Sequence, residues 1–320
     1  MAPAPAASSE ATIERAAALL RDGGVVAIPT ETVYGLAANA LDAVAVARVF
    51  EIKRRPSFDP LIVHVSGEAM LQAVAGAIPA AAYRLMERFW PGPLTIVLMK
   101  AAAVPGIVTA GAATVAVRAP AHPVARAIIE RAGVPLAAPS ANPFGRLSPT
   151  RAQHVWRGLG DAVDLIVDGG PAEYGLESTI VSLDPEPALL RAGAIGPEEI
   201  EAVIGPLARG ATPGSVAVPG NVVHHYAPAT PLNVVDWDSV PAASRSRAGW
   251  LGLRHPAPGY AYSRVLSPTG DLREAAAMLF EALHELDERS LERIDAERIP
   301  ERGIGLAIAD RLRRAEASSS

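Results

Sequence analysis

"KRRPSFDPLIVHVS", residues 53–66, passes from three consecutive cations through a proline-bounded turn into an apolar strand that ends on a histidine. Alternation places Leu61, Val63 and Val65 on one face of that strand and Ile62 with His64 on the other, so His64 is expected to face a cleft. Upstream, "DAVAVARVFE" around 42–51 reads as a helix. Helix, polar turn and buried strand in succession point to a sheet layered with helices.

The same alternation continues outward. "GGVVAIPTETVYGLAA" reads as a short buried strand at 24–28 that leaves through Pro29 into a polar turn. Strands are predicted at "LTIVLM", "TVAVRAP", "VPLAAPS", "DLIVDG", "STIVSL" and "ALLRAG", and helices near 13–20, 67–89, 122–132, 150–157 and 197–204. The expected fold class is α/β, an α+β mixed twisted sheet spanning 11–207, with 1–10 a disordered tail lacking a signal peptide. From Leu207 to Pro231, "LARGATPGSVAVPGNVVHHYAPATP" is rich in Gly and Pro, and 208–230 is read as a linker. A second, smaller α/β domain is expected over 231–316, its clearest element an amphipathic helix in which Leu272, Ala276, Leu279, Leu283 and Leu286 share a stripe.

Half of the 320 residues are hydrophobic and 20% are charged, the balance of a folded chain. No apolar run is long enough to cross a bilayer, and a cytoplasmic location is expected. The absence of cysteine removes disulfides, thiol nucleophiles and thiolate metal sites. A net charge of -5, with Lys53 and Lys100 the only lysines, gives no global footprint for nucleic acid, so tight direct RNA binding is not expected. Walker, GxSxG, HExxH and GxGxxG motifs are missing. His224 and His225 are too close in sequence to form a two-ligand helix face, so no metal site is predicted.

Polar and cationic residues collect instead at the ends of apolar strands: Thr30, Glu31 and Thr32 after the first, Ser140, Asn142 and Ser148 after another, Arg118 closing "TVAVR" and Arg191 after "ALL". Singly, such residues are turn formers and helix caps, and Lys53–Arg55 reads as a solvated run. Several strand ends bearing hydroxyls and cations together suggest a site for a phosphorylated ligand held without a Walker loop.

"PTETVYGL", "KRRPSFDPLIVHV", "WPGPLT", "VAVRAP", "APSAN…GRLSPT" and "LESTIV…LLRAGAI" follow one another in a single order, and together they closely resemble the YrdC/Sua5 family. "HHYAP" and "GIGLAIADRLRRA" resemble its long Sua5 subtype. The resemblance implies a YrdC-like sheet domain with a Sua5-type C-terminal domain. It implies an L-threonylcarbamoyladenylate synthase: L-threonine, bicarbonate and ATP give threonylcarbamoyl-AMP and pyrophosphate, for tRNA t6A modification. Mg2+ is expected with ATP, no tightly bound organic cofactor is expected, and the product would pass to downstream tRNA threonylcarbamoyltransferase machinery.

Carried over residue by residue, Lys53 and Arg55 resemble the family's phosphate clamps and are the expected catalytic pair, with Arg54 between them solvated. Asp59, Thr114, Ser140, Asn142, Ser148, Arg191 and, in the linker, Tyr226 resemble ATP-binding positions, and Tyr226 would make the linker a lid. Thr32, His64, Arg118, Ala138 and Ser178 resemble threonine-binding positions, Arg118 pairing with the amino-acid carboxylate. Asp59 departs from the family's usual Asn and would repel phosphate unless Mg2+ or Arg55 intervenes. Two rivals are an RNA-binding module of the same fold without synthase activity and carbamoyl transfer of the hydrogenase-maturation kind, whose zinc finger the lack of cysteine excludes.

Overall fold

The computed structural model describes residues 4–209 and 225–318. The first unit comprises, in chain order, β1 (Ala6–Ala7), α1 (Glu10–Arg21), β2 (Val26–Ile28), β3 (Gly35–Asn39), α2 (Ala43–Lys53), β4 (Ile62–His64), α3 (Glu68–Val74), α4 (Ala80–Phe89), β5 (Leu94–Met99), β6 (Thr114–Arg118), α5 (Pro123–Ala132), β7 (Leu136–Ala137), α6 (Ala152–Leu159), β8 (Leu165–Asp168), β9 (Thr179–Ser182), β10 (Ala188–Arg191), α7 (Pro197–Ile204) and β11 (Ala208–Arg209). They build one mixed sheet in the order β1-β8-β2-β3-β7-β4-β6-β5-β9-β10-β11. The second unit adds β12 (Leu232–Val235), α8 (Ala242–Arg245), β13 (Ala248–Gly252), β14 (Tyr262–Val265), α9 (Leu272–Asp287), β15 (Arg293–Glu297) and α10 (Gly305–Ala317). Its four strands, ordered β12-β15-β13-β14, are all parallel.

Local chemistry sets the boundaries. Ser9 caps α1 by accepting from the Thr12 N–H, Asp42 caps α2 through Val44 and Ala45, and Asp271 caps α9 through Arg273 and Glu274. The predicted helix over 67–89 is two helices, because Pro79 stands where an N–H would be needed and begins α4 instead. The expected tail ends early: Ala6 and Ala7 pair in parallel with Val167 and Asp168, so the chain is ordered well before residue 10. The polar turn after Pro29 is a hairpin, with β3 returning antiparallel to β2 as Val26 faces Ala37. α10 lies beyond the predicted helices, and its buried Ala307, Ile308, Leu312 and Ala315 give it one apolar face.

The sheet carries its core on both faces. Val63 and Val65 join Val46, Val49, Leu71 and Leu85 beneath α2, α3 and α4, while Val26, Ile28 and Leu136 meet Ile13, Leu20, Ile128 and Ile129 of α1 and α5 on the other face. His64 lies opposite Leu136 in the ladder and so belongs to that second face. Farther along the same face Ile62, Val97, Ala116 and Ile180 form a small separate cluster. A cavity opens beside Ile62, bounded by strand ends and by the start of the second unit. Most of the expected linker, His224 included, lies outside the described residues.

Candidate active site

The parallel register of β4 and β6 sets His64 beside Arg118. Both side chains face the cavity, which Thr30, Thr32, Gly35, Ile62 and Ala138 complete on this side. The Arg118 guanidinium donates from Nη1 to Thr32 Oγ1 at 2.8 Å and from Nε to the Gly92 carbonyl at 3.2 Å. Its Nη2 stands 2.6 Å from Glu31 Oε1, and both members of this ion pair are almost wholly buried. Burial alone would raise the Glu31 carboxyl, but the charge and hydrogen bond of Arg118 outweigh it and hold the carboxyl below its ordinary range. His64 is pushed down to about 3 by burial first and the nearby guanidinium second, so its imidazole is neutral. Its Nδ1 is buried without a hydrogen-bond partner among the described residues.

Two further cations line the cavity. Arg55 donates from Nε to the Asp59 carbonyl (3.0 Å) and from Nη2 to the Pro60 carbonyl (2.8 Å), and Nη2 also pairs with Asp59 Oδ2 at 2.9 Å. Asp59 therefore meets Arg55 directly. Arg191 donates to the Ser178 carbonyl from Nε and Nη2, and to Ser178 Oγ at 3.1 Å; that hydroxyl is in turn 2.7 Å from Thr95 Oγ1. Ser140, Pro139, His225 and Tyr226 close the cavity, Tyr226 being buried with φ 64°, in the left-handed region.

Thus the cavity brings together Thr32, Arg55, His64, Arg118, Ala138, Ser140, Ser178, Arg191 and Tyr226. The other expected positions stand behind it. Lys53 is buried, and its Nζ donates to the carbonyls of Ser140 and Asn142, each at 2.5 Å, so it grips the Ser140 loop from beneath. Burial, then the charge of Arg55, lowers its ammonium well below the ordinary lysine range. Asn142 holds its loop shut through the carbonyls of Pro143 and Arg146. Ser148 donates to Glu177 Oε1 at 2.5 Å. Thr114 begins β6, on the face of Ala116 and Arg118 but at the far end of the strand. Arg54, at the left-handed end of α2, is exposed.

Two groups escaped the sequence reading. Glu177 lines the cavity, and its Oε2 accepts from Arg311 Nε at 3.0 Å. Arg311 lies on α10 with its side chain fully buried and its guanidinium carbon 5.0 Å above the Tyr226 ring. Glu177 stands inside the quoted "LESTIV" and Arg311 inside "IADRL", but the ion pair spans 134 residues and leaves no local periodicity. Among the described residues no three carboxylates or histidines gather to hold a metal ion, and the nearby carboxylates Glu31, Asp59 and Glu177 are each engaged by an arginine.

Comparison with known proteins gives the same architecture. Residues 18–193 match a family model described as "Telomere recombination" (Sua5, YciO and YrdC), and residues 195–317 match the model of the threonylcarbamoyl-AMP synthase C-terminal domain. A threonylcarbamoyl-AMP synthase of Bacillus subtilis is 43% identical, the alignment covering 96% of this chain and 94% of that protein. One from Pyrococcus abyssi is 42% identical over 95% and 93%. The crystal structure of Pyrococcus abyssi Sua5 complexed with L-threonine superimposes with a TM-score of 0.90 at 40% identity, covering 97% of this chain and 96% of that one. With both units matched in order along the chain, it belongs to the Sua5/YrdC family of threonylcarbamoyl-AMP synthases, in the long form that carries the second domain.

Proposed function

We infer that this chain is an L-threonylcarbamoyladenylate synthase, and that the cavity described above holds L-threonine beside ATP. The observation that carries the reading is the joint lining of one cavity. A neutral imidazole, a guanidinium bonded to the Thr32 hydroxyl and the Arg191–Ser178 pair share its wall with Arg55 and Ser140.

In this reading Arg118 receives the threonine carboxylate, and the neutral His64 with a hydroxyl neighbour reads the threonine Oγ. A buried polar group left without a partner by valine rejects it far better than shape does. Bicarbonate supplies the carbon. The uncharged threonine nitrogen attacks the bicarbonate carbon, a C–O bond of bicarbonate breaks and the oxygen leaves with two protons as water; one oxygen of the resulting carbamate attacks the α-phosphorus, and the bond from that phosphorus to the bridging oxygen breaks to release pyrophosphate. Mg2+ enters as part of the MgATP substrate. Arg55 and Arg191 face the charge that builds on the phosphates, while Lys53 fixes the Ser140 loop against them. No side chain forms a covalent intermediate, so rate enhancement comes from positioning and charge stabilisation. A tRNA-directed threonylcarbamoyl transferase consumes the product. The RNA-binding rival gains no support from the cavity's chemistry.

The test is pyrophosphate release from ATP with threonine and bicarbonate omitted in turn, in the wild type and in Arg55→Ala. Release that requires both co-substrates, and that falls about 10- to 100-fold in the variant for one lost charge-assisted bond, supports the synthase. Release indifferent to threonine overturns it.

A further inference from the structure

Just beyond the C-terminal ends of β4 and β6, where the chain leaves His64 and Arg118, lies a second concavity of about 320 Å³. Its floor is buried and apolar, made by Val65, Leu71, Ala119 and Pro120. Trp90, Tyr83 and Met86 form the wall, and the indole is fixed because Nε1 donates to the Leu94 carbonyl at 2.7 Å. Glu68 and Glu87 stand at the rim with Arg126, whose guanidinium also faces Glu130 at 3.7 Å. Neither rim glutamate makes a hydrogen bond or ion pair within the described residues.

Volume, an apolar floor and a few polar groups are the marks of a small-molecule site. Two carboxylates beside aromatic faces attract a cation and repel an anion, and they outnumber Arg126, whose charge Glu130 also answers. We propose that this groove is an effector site for a small organic cation with an apolar body, an aryl- or alkylammonium, the ammonium lying between Glu68 and Glu87 and the body against Trp90.

The floor gives the site its consequence. Val65 and Ala119 directly follow His64 and Arg118 in sequence, and the Val65 N–H donates to the Arg118 carbonyl at 2.9 Å. Ala119 accepts from the Gly92 N–H at 2.8 Å, and the Gly92 carbonyl accepts from Arg118 Nε. Pro91, also in the groove wall, joins Trp90 to Gly92. A ligand pressing on Trp90 and Ala119 therefore acts on the backbone that holds Arg118, two hydrogen bonds from the other cavity. This coupling rests on threonine being the ligand of that cavity; binding in the groove does not.

The experiment titrates the full chain calorimetrically with 2-phenylethylammonium chloride and with the uncharged 2-phenylethanol, then measures threonine-dependent pyrophosphate release at saturating ammonium. The expected result is binding selective for the ammonium, weakened roughly three-fold by each of Glu68→Gln and Glu87→Gln and about ten-fold by the pair. At an ammonium concentration just saturating wild type, the threonine KM is expected to shift by about five-fold or more in wild type and by clearly less in the double variant. Equal binding of the alcohol, binding unaffected by the double variant, or no binding overturns the cation site. Selective binding with an unchanged threonine KM overturns the effector role, and a wild type that needs no threonine at all is instead the failure of the synthase reading.

Discussion

Glu31 answers the charge of Arg118, and among the described residues no other carboxylate pairs with that guanidinium. Glu31→Gln keeps the shape and removes the charge, leaving a buried cation, a change that costs about 3–5 kcal/mol where buried pairs have been broken. A bound carboxylate can replace the missing charge, so the variant should melt lower than wild type alone, yet gain more from added threonine. Thermal melts with and without threonine test this, and equal ligand-induced shifts in the two proteins would count against Arg118 as the carboxylate anchor. His64 provides a pH prediction. Its folded value is about 3 against 6.5 for the free side chain, so between those limits the unfolded chain binds the extra proton and stability falls as pH falls. At pH 5 that one histidine contributes about 2 kcal/mol of destabilisation relative to neutral pH. Urea midpoints at pH 7 and pH 5 should therefore lie closer together in His64→Gln than in wild type.

At the scale of elements, the informative contact joins the end of α2 to the loop after β7. Lys53 supplies donors to two carbonyls that would otherwise be buried acceptors. Lys53→Met preserves the stem and removes both bonds, at about 1–3 kcal/mol for each acceptor left unsatisfied. Because the loop carries Ser140, the ATP KM should rise more than the threonine KM. Lys53→Arg should not restore it, since a planar fork does not fit two carbonyls set for a compact ammonium. Equal effects on both KM values would place Lys53 elsewhere in the mechanism. This contact also marks where sequence stopped being readable. The face of β4 followed from alternation at 61–65, and the helix stripe of α9 from its leucines. That Lys53 turns inward onto residues 87 and 89 positions away is a property of packing, and the basic run around it looked like a solvated one. β3 was missed for a similar reason: "GLAAN" has small residues and no polar alternation, and only its pairing to β2 makes it a strand.

Across the whole molecule the second unit is joined to the first through charge and close packing. Arg311 reaches Glu177, Arg151 pairs with Glu281 at 2.8 Å, and His154 stacks on His284 with ring centres 3.8 Å apart. Gly175 shows how tight the join is. Its φ is +64°, and a Cβ there would stand 2.4 Å from the Ala277 carbonyl oxygen of α9. Gly175→Ala thus meets both a backbone conformation unfavourable to L side chains and a main-chain wall that no rotamer relieves. The two units must separate locally, and Arg311, held at 3.0 Å from Glu177, moves with α10. Wild type is expected to unfold in one calorimetric transition, because neither buried partner of that ion pair is stable without the other. Gly175→Ala is expected to split the transition in two and to lower pyrophosphate release through Tyr226, whose ring lies under Arg311. In a double-mutant cycle, Arg311→Met and Glu177→Gln should couple by about 0.5–3 kcal/mol in the wild-type background and by less in Gly175→Ala. A single transition at unchanged temperature in Gly175→Ala would mean that the join between the units does not depend on this approach, and that the second unit reaches the cavity only through its own chain.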